Sequence, residues 1–216
     1  ATAPWAPPVT VTDVATQVVS SVVAPDGTIT GTIETAAGIA TVTSTDAGAT
    51  WSAPVYLGSG GDYAFRSTIG VTSSGLLLAA WVEETAGIRE LYTAGSSDQG
   101  VSWSTPTPLP VVGDYQDDPT IASTGPDAFT VAWSEDFDKL ASASTDGGAT
   151  WSSPEYLSQA MNSYGRVSLV PIGGDEIVAI FQQFDGNSGQ FSIQSRRSTD
   201  GGLTWNAIVP VSGDWS

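Results

Sequence analysis

The octapeptide STDGGATW, Ser144 to Trp151, decides how this sequence is read. It recurs as STDGGLTW at Ser198–Trp205, as STDAGATW at Ser44–Trp51, and more loosely as SSDQGVSW at Ser96–Trp103. The four tryptophans, Trp51, Trp103, Trp151 and Trp205, stand 52, 48 and 54 residues apart. Periods of that size mark chains built from stacked supersecondary units.

Each copy carries a similar tail, WSAPVYL, WSTPTPL, WSSPEYL and WNAIVPV. Ahead of each lies a strand-like run rich in Thr, Ser, Ile and Val. Before that comes an apolar run ending in a bulky residue and an acid or amide: TITGTIE, LLLAAWVE, AFTVAWSE and EIVAIFQQ. Earlier still stand DVATQVVSSVV, DYAFRSTIGV, DYQDDPTIAS and SYGRVSLVPI. Every unit thus reads as four short strands separated by Gly, Asp and Pro turns, with no sustained helical period. The expected fold is all-β, a β-propeller of four-stranded antiparallel blades. A single domain covers 1–216, with a strand remnant at 1–11 and four complete blades near 12–58, 59–110, 111–158 and 159–211.

The repeated octapeptide falls where a third strand turns into a fourth. Asp accepts backbone N–H groups in such a turn, Gly supplies backbone angles that other residues resist, and Ser or Thr hydroxyls satisfy further groups. The Trp ring is expected to bury apolar surface beneath the hairpin. Asp46, Gly48 and Trp51, with their counterparts Asp98, Gly100 and Trp103, Asp146, Gly148 and Trp151, and Asp200, Gly202 and Trp205, are therefore read as structural.

The S-x-D-x-G-x-T-W pattern resembles the Asp-box, or bacterial neuraminidase repeat, of sialidase-like propellers, and the match covers essentially the whole chain. The resemblance implies boxes at the periphery, away from the ligand-binding face. It does not imply one activity, because such boxes also occur in lectins, endoglucanases and receptors.

Composition narrows the partners. Hydrophobic residues make up 40% of the 216 positions and charged residues 13%, enough for a packed core. Six basic residues against 23 acidic ones give a net charge of −17, which argues against nucleic acid and anionic membranes. The longest apolar run, Leu76–Val82, is too short to span a bilayer. There is no cysteine, so neither disulfides nor thiolate metal sites arise. The opening ATAPWAPPV resembles a mature end left by cleavage at a small-residue site. With few lysines and abundant Thr, Ser and Gly, it leads us to expect a secreted, extracellular protein.

A sialidase-like enzyme, by resemblance, would hold a substrate carboxylate with three inner-strand arginines, attack with a Tyr activated by a Glu, and protonate with an Asp. Phe65-Arg66 matches the start of the Phe-Arg-Ile-Pro motif of that family, while Ser67 and Thr68 depart from it. Arg166 falls at the equivalent place of the fourth unit, Asp118 in the third and Gln17 in the first. A third inner arginine is missing, since Arg89 opens a third strand and Arg196 and Arg197 precede the last box. No Tyr–Glu pair can be assigned. The starts of the first strands do carry Tyr63, Tyr115 and Tyr164 in register, beside Arg66, Asp117, Asp118 and Arg166. Aromatic faces with a few fixed donors and acceptors suit a sugar ring. Alternatively the tyrosines pack between blades and the arginines pair with Asp62, Asp114 or Asp118. The recurrent acids Glu34, Glu83 and Glu135, with Gln183 in the same slot, suggest caps or bonds between blades.

No cofactor is implied. Asp114, Asp117 and Asp118 could offer oxygens to Ca²⁺, but nothing resembles the EF-hand loop, and a solvated turn is the alternative. At the termini, Trp5–Val11 aligns with the fourth strands, and Val211–Trp215 with the openings of blades two and three. Four explanations stay open: a compact four-blade ring with a spare terminal strand, a segment of a larger propeller, a ring completed by two chains, or a strand at 5–11 that pairs with a neighbouring copy. The reading these features favour is a secreted, non-catalytic propeller that binds glycans, such as a cell-surface polysaccharide, or serves in adhesion or assembly. A sialidase-type glycoside hydrolase and a filament subunit are the alternatives.

Overall fold

The computed structural model describes residues 10–11, 15–58, 61–110, 113–159, 165–185 and 189–211, with backbone alone at 15–19 and at 185. Tyr164, most of the Trp5–Val11 strand and the segment after Val211 lie outside the described residues.

Four antiparallel sheets follow one another along the chain, each with its strands in sequence order. The first holds β1 (Ala15–Val23), β2 (Ile29–Thr35), β3 (Gly38–Ser44) and β4 (Val55–Tyr56). The second holds β5 (Tyr63–Val71), β6 (Leu77–Thr85), β7 (Ile88–Ser96) and β8 (Thr107–Pro108). The third holds β9 (Gln116–Ser123), β10 (Phe129–Glu135), β11 (Asp138–Ser144) and β12 (Glu155–Ser158). The fourth holds β13 (Ser168–Gly173), β14 (Glu176–Asp185), β15 (Gln190–Ser198) and β16 (Val209–Pro210). These are propeller blades, and no helix occurs among the described residues.

The core lies between blades. Ile39 and Leu57 meet Ala79, Trp81 and Ala94. Leu78, Val82 and Leu91 meet Phe129, Val131 and Trp133. Ala122, Ala132 and Leu157 meet Ile177, Ala179 and Phe181. The second strand of a blade is thereby covered on both faces, which explains why LLLAAWV and AFTVAW are continuous apolar runs rather than alternating ones. Leu77 through Glu83 are all buried.

The boxes form the expected turn four times. In the first, Ser44 Oγ donates to Asp46 Oδ1 at 2.8 Å and accepts from Gly48 N at 2.8 Å. Thr50 donates its N–H to Asp46 Oδ1 at 2.8 Å and its hydroxyl to Oδ2 at 2.6 Å. The same bonds tie Asp98 to Ser96 and Ser102, Asp146 to Ser144 and Thr150, and Asp200 to Ser198 and Thr204. The Thr50 hydroxyl and N–H, with the Ser44 hydroxyl, hold the Asp46 carboxyl down at about 2. The other three box carboxyls are lowered too; at Asp200, burial pulls upward but the bonds from Thr204 and Ser198 outweigh it.

The fifth residue of each box is a glycine with a left-handed backbone, and three of these seat against the preceding blade. A Cβ on Gly202 (φ 90°) would lie 2.6 Å from Thr130 Oγ1, and one on Gly148 2.7 Å from Leu78 Cδ1. Gly100 likewise faces Thr43 and Thr30. The box therefore does more than turn the chain: it is the seam between blades. Its tryptophans are only partly buried, apart from Trp205, which joins the cluster between blades three and four.

Candidate functional site

Because each β2–β3-type hairpin and each β3–β4-type turn sit at opposite ends of a blade, the boxes occupy one face and the starts of the first strands the other. On that second face, each first strand of blades two and three carries a bulge. Phe65 pairs with Val82 and Thr68 with Ala80, so Arg66 and Ser67 together oppose Trp81. Asp117 pairs with Ser134 and Thr120 with Ala132, so Asp118 and Pro119 oppose Trp133. Such insertions re-aim side chains and often sit near functional sites.

Arg66 (φ 54°) and Asp118 (φ 50°) both adopt the left-handed region at these bulges. That conformation is costly for a non-glycine residue and persists only where the surroundings enforce it. Here the enforcement is mutual, because the two side chains form an ion pair across the blade boundary. In blade four, Ser168 pairs with Ile180, which places Arg166 at the register of Arg66. In blade one, Gln17 pairs with Glu34 and Ser20 with Thr32. The residue at that register is thus Val18, not Gln17, because the bulge comes one residue later than the sequence suggested.

The result is a charge cluster with two carboxylates at its centre. Asp118 Oδ1 accepts from Arg66 and from Arg166 Nε at 3.0 Å. Asp117 Oδ1 receives Arg66 Nε at 2.8 Å, and its Oδ2 receives Arg89 at 3.2 Å. Burial alone would lower the Arg66 guanidinium's pKa, but Asp117 and Asp118 outweigh it and hold it raised. Arg89 also lies over the ring of Tyr115, 4.1 Å from its centroid, and over Phe65 at 4.9 Å, while Tyr63 packs on Phe65 at 5.3 Å. Four of the six basic residues gather at this pair, for Lys139, fully buried and bonded to Ser134, lines a cleft with both aspartates; burial lowers its pKa against the pull of Asp118, Asp138 and Asp117.

A cleft of about 560 Å³ opens here, lined among others by Glu34, Tyr63, Arg66, Asp118 and Arg166. The structure brings Tyr63, Arg66, Asp117, Asp118 and Arg166 into one neighbourhood, and three details were not legible in the sequence. Arg89 enters from a third strand as a further arginine of the cluster; its proximity to Asp117 depends on the parallel bridge between Arg89 and Tyr115, which no local pattern encodes. Tyr115 turns to the next cleft rather than the central one. Tyr63 and Glu34 line a common cleft, although no Tyr–Glu couple was apparent in the chain order. Asp62 and Asp114 are not the arginines' ion-pair partners: Asp62 caps Ala86 N, and Asp114 gives its carbonyl to Arg89 N.

The recurrent acids are structural ties. Glu83 accepts from Trp81 Nε1 at 2.8 Å and Gly61 N at 3.1 Å, and Glu135 accepts from Trp133 Nε1 at 2.9 Å. Glu34 crosses to the next blade and accepts from Ser67 N at 3.1 Å, which steadies the Arg66 bulge. Arg196 and Arg197 sit on the outer blade, with Arg196 bound to carbonyls of Trp205 and Asn206 and Arg197 paired with Glu176. Among the described residues no three acids gather as metal ligands.

A family model described as the BNR repeat-like domain matches residues 3–208. The chain belongs to the BNR repeat-like family. Solved structures similar to this BNR repeat-like propeller include an α-L-arabinofuranosidase from Fusarium graminearum, at 15% identity and a TM-score of 0.65, over 89% of this chain and 65% of that one. NanB sialidase from Streptococcus pneumoniae aligns at 15% identity and a TM-score of 0.66, over 91% of this chain and 52% of the other. An α-L-arabinanase from Penicillium chrysogenum, complexed with arabinobiose, gives 12%, 0.66, 89% and 65%. The BNR repeat-like chain thus spans about half to two thirds of these proteins' length, and at such identities the likeness is one of fold. A search of curated protein sequences returns no match.

Proposed function

We propose that this propeller is a secreted, non-catalytic module that binds neutral glycans on the face formed by the starts of its first strands. The observation that carries this reading is the compensation of the arginines. Arg66, Arg89 and Arg166 would draw in an anionic sugar if they were uncovered, yet three carboxylates, Asp117, Asp118 and Glu84, already pair with them within hydrogen-bonding distance. What remains is a balanced set of donors and acceptors beside the exposed ring of Tyr63, which is 62% accessible. That combination suits hydroxyls and the C–H face of a sugar, not a carboxylate. The chain's charge of −17 adds a general repulsion of polyanions. The arabinobiose held by the similar Penicillium chrysogenum α-L-arabinanase supports a glycan partner.

A titration of neutral and sialylated oligosaccharides tests this. Binding of neutral sugars, weakened in Tyr63→Ala, is expected; a preference for sialosides would defeat it. One observation favours a second reading as a glycoside hydrolase, namely Glu34 and Tyr63 on the walls of the same cleft. Turnover of aryl glycosides that disappears in Tyr63→Phe would establish that reading in place of the first.

A further inference from the structure

We infer that the ligand is a linear, neutral polysaccharide lying in a groove across the four blades, and not a single terminal sugar. This rests on the glycan reading above and specifies the ligand class. The central cleft does not stand alone. Tyr63, on its wall, also lines a cleft of about 400 Å³ with Tyr56, Asp62 and the hairpin between β2 and β3. On the opposite side, Asp118 lines both the central cleft and one of about 280 Å³ that includes Tyr115, Ser134, Phe137 and Gly165. The three clefts are therefore neighbours that share walls, an aromatic ring between two of them and a carboxylate between the next two. Their order follows the blades, from the hairpin of the first to the edge of the fourth.

Small-ligand sites measure ~300–1,000 Å³, so each of these spaces suits one or two sugar units and none suits a chain alone. Large rings recur along the line in unusual exposure: Tyr56 at 50%, Tyr63 at 62%, Tyr115 at 43% and Phe137 at 44%. An exposed ring is a cost in water unless something stacks on it, and rings repeated at successive clefts match successive units of a polymer. Polar groups stand between them, with the Arg66–Asp118–Arg166 bridge in the middle. With Asp117 also on Arg66, two guanidiniums meet two carboxylates there, so the group can donate to and accept from hydroxyls without a net charge to satisfy. Asp62 and Asp136, at the two outer clefts, disfavour uronate or sulfated chains.

Calorimetric titration of the full chain with arabinan-, xylan-, mannan- and β-glucan-derived oligosaccharides of increasing length is the test. In at least one series, affinity is expected to rise about tenfold or more from monosaccharide to pentasaccharide and then level off. Tyr56→Ala and Phe137→Ala should each weaken the pentasaccharide about fivefold to tenfold, the range an aromatic contact contributes, and more than they weaken the disaccharide. Both rings are at the surface, so these variants leave the core intact. Affinity that is independent of length, or unaffected by both variants, overturns the groove and leaves the glycan site standing. Failure of all four series to bind overturns both.

Discussion

Replacing Asp118 by Asn should convert a site for neutral sugars into one that accepts a carboxylate. The variant keeps the shape and, because Asn tolerates the left-handed backbone, the local conformation at φ 50°. It removes one negative charge from between the guanidiniums of Arg66 and Arg166, the Arg166 Nε lying 3.0 Å from Asp118 Oδ1. At that separation the Coulomb energy is about 1.4 kcal/mol in water and about 5.5 kcal/mol at an effective dielectric of ~20. The arginine side chains are 40% and 70% exposed, so the lower figure governs. Stability should therefore fall by only about 1–2 kcal/mol, a loss the fold can bear. An incoming sugar carboxylate would recover the same contact, for a gain of about 1.4 kcal/mol, or tenfold in affinity. Titration with glucuronate and glucose at low and high salt reads this out. The gain for glucuronate should appear in the variant alone and shrink as salt is added. A folded D118N protein with no such gain, or a wild-type protein that already prefers glucuronate, refutes the argument that Asp118 occupies the arginines.

Other consequences follow from the boxes. Gly202→Ala should cost about 3–5 kcal/mol in urea unfolding, from a strained φ of 90° and overlap with Thr130. Gly48→Ala, with a similar φ of 87° and only Trp51 within 4 Å among the described residues, should cost about 1–2 kcal/mol; equal losses would deny that the box glycine is a seam between blades. The lowered box carboxyls stabilise the fold while ionised. That stabilisation is complete above the ordinary value of 3.8 and is lost as pH falls toward about 2 for Asp46, so melting temperature should drop within that window. Ala47→Gly and Gln99→Gly should raise stability slightly, since both residues hold left-handed angles (φ 58° and 63°) that Gly147 and Gly201 adopt freely; a lower midpoint for either would count against the shared turn geometry.

The blades were readable because the octapeptide combines turn chemistry and a fixed period: Ser44, Asp46, Gly48 and Thr50 bond to one another locally, so sequence alone specifies the turn. The neighbourhood of Tyr63, Arg66, Asp118 and Arg166 was readable for a related reason, since register copies across repeats. What escaped was non-local. The bulge shifted the first blade's equivalent residue to Val18, a displacement set by pairing with Ile33's strand rather than by any breaker residue. Arg89 looked like a strand opener, and its role at Asp117 arises because two blades bring β7 beside Tyr115. The pairing of the arginines with Asp118 was among the alternatives legible in the sequence; the shared geometry of the two bulges is what selects Asp118 over Asp62 and Asp114.

The most direct measurement is a hydrogen-exchange map of the intact chain with and without a neutral oligosaccharide that it binds. Protection should concentrate at Tyr63–Ser67, Tyr115–Asp118 and the hairpin around Phe137, with the four boxes unchanged. Protection centred on Asp46, Asp98, Asp146 and Asp200 would place the ligand on the opposite face and contradict the account.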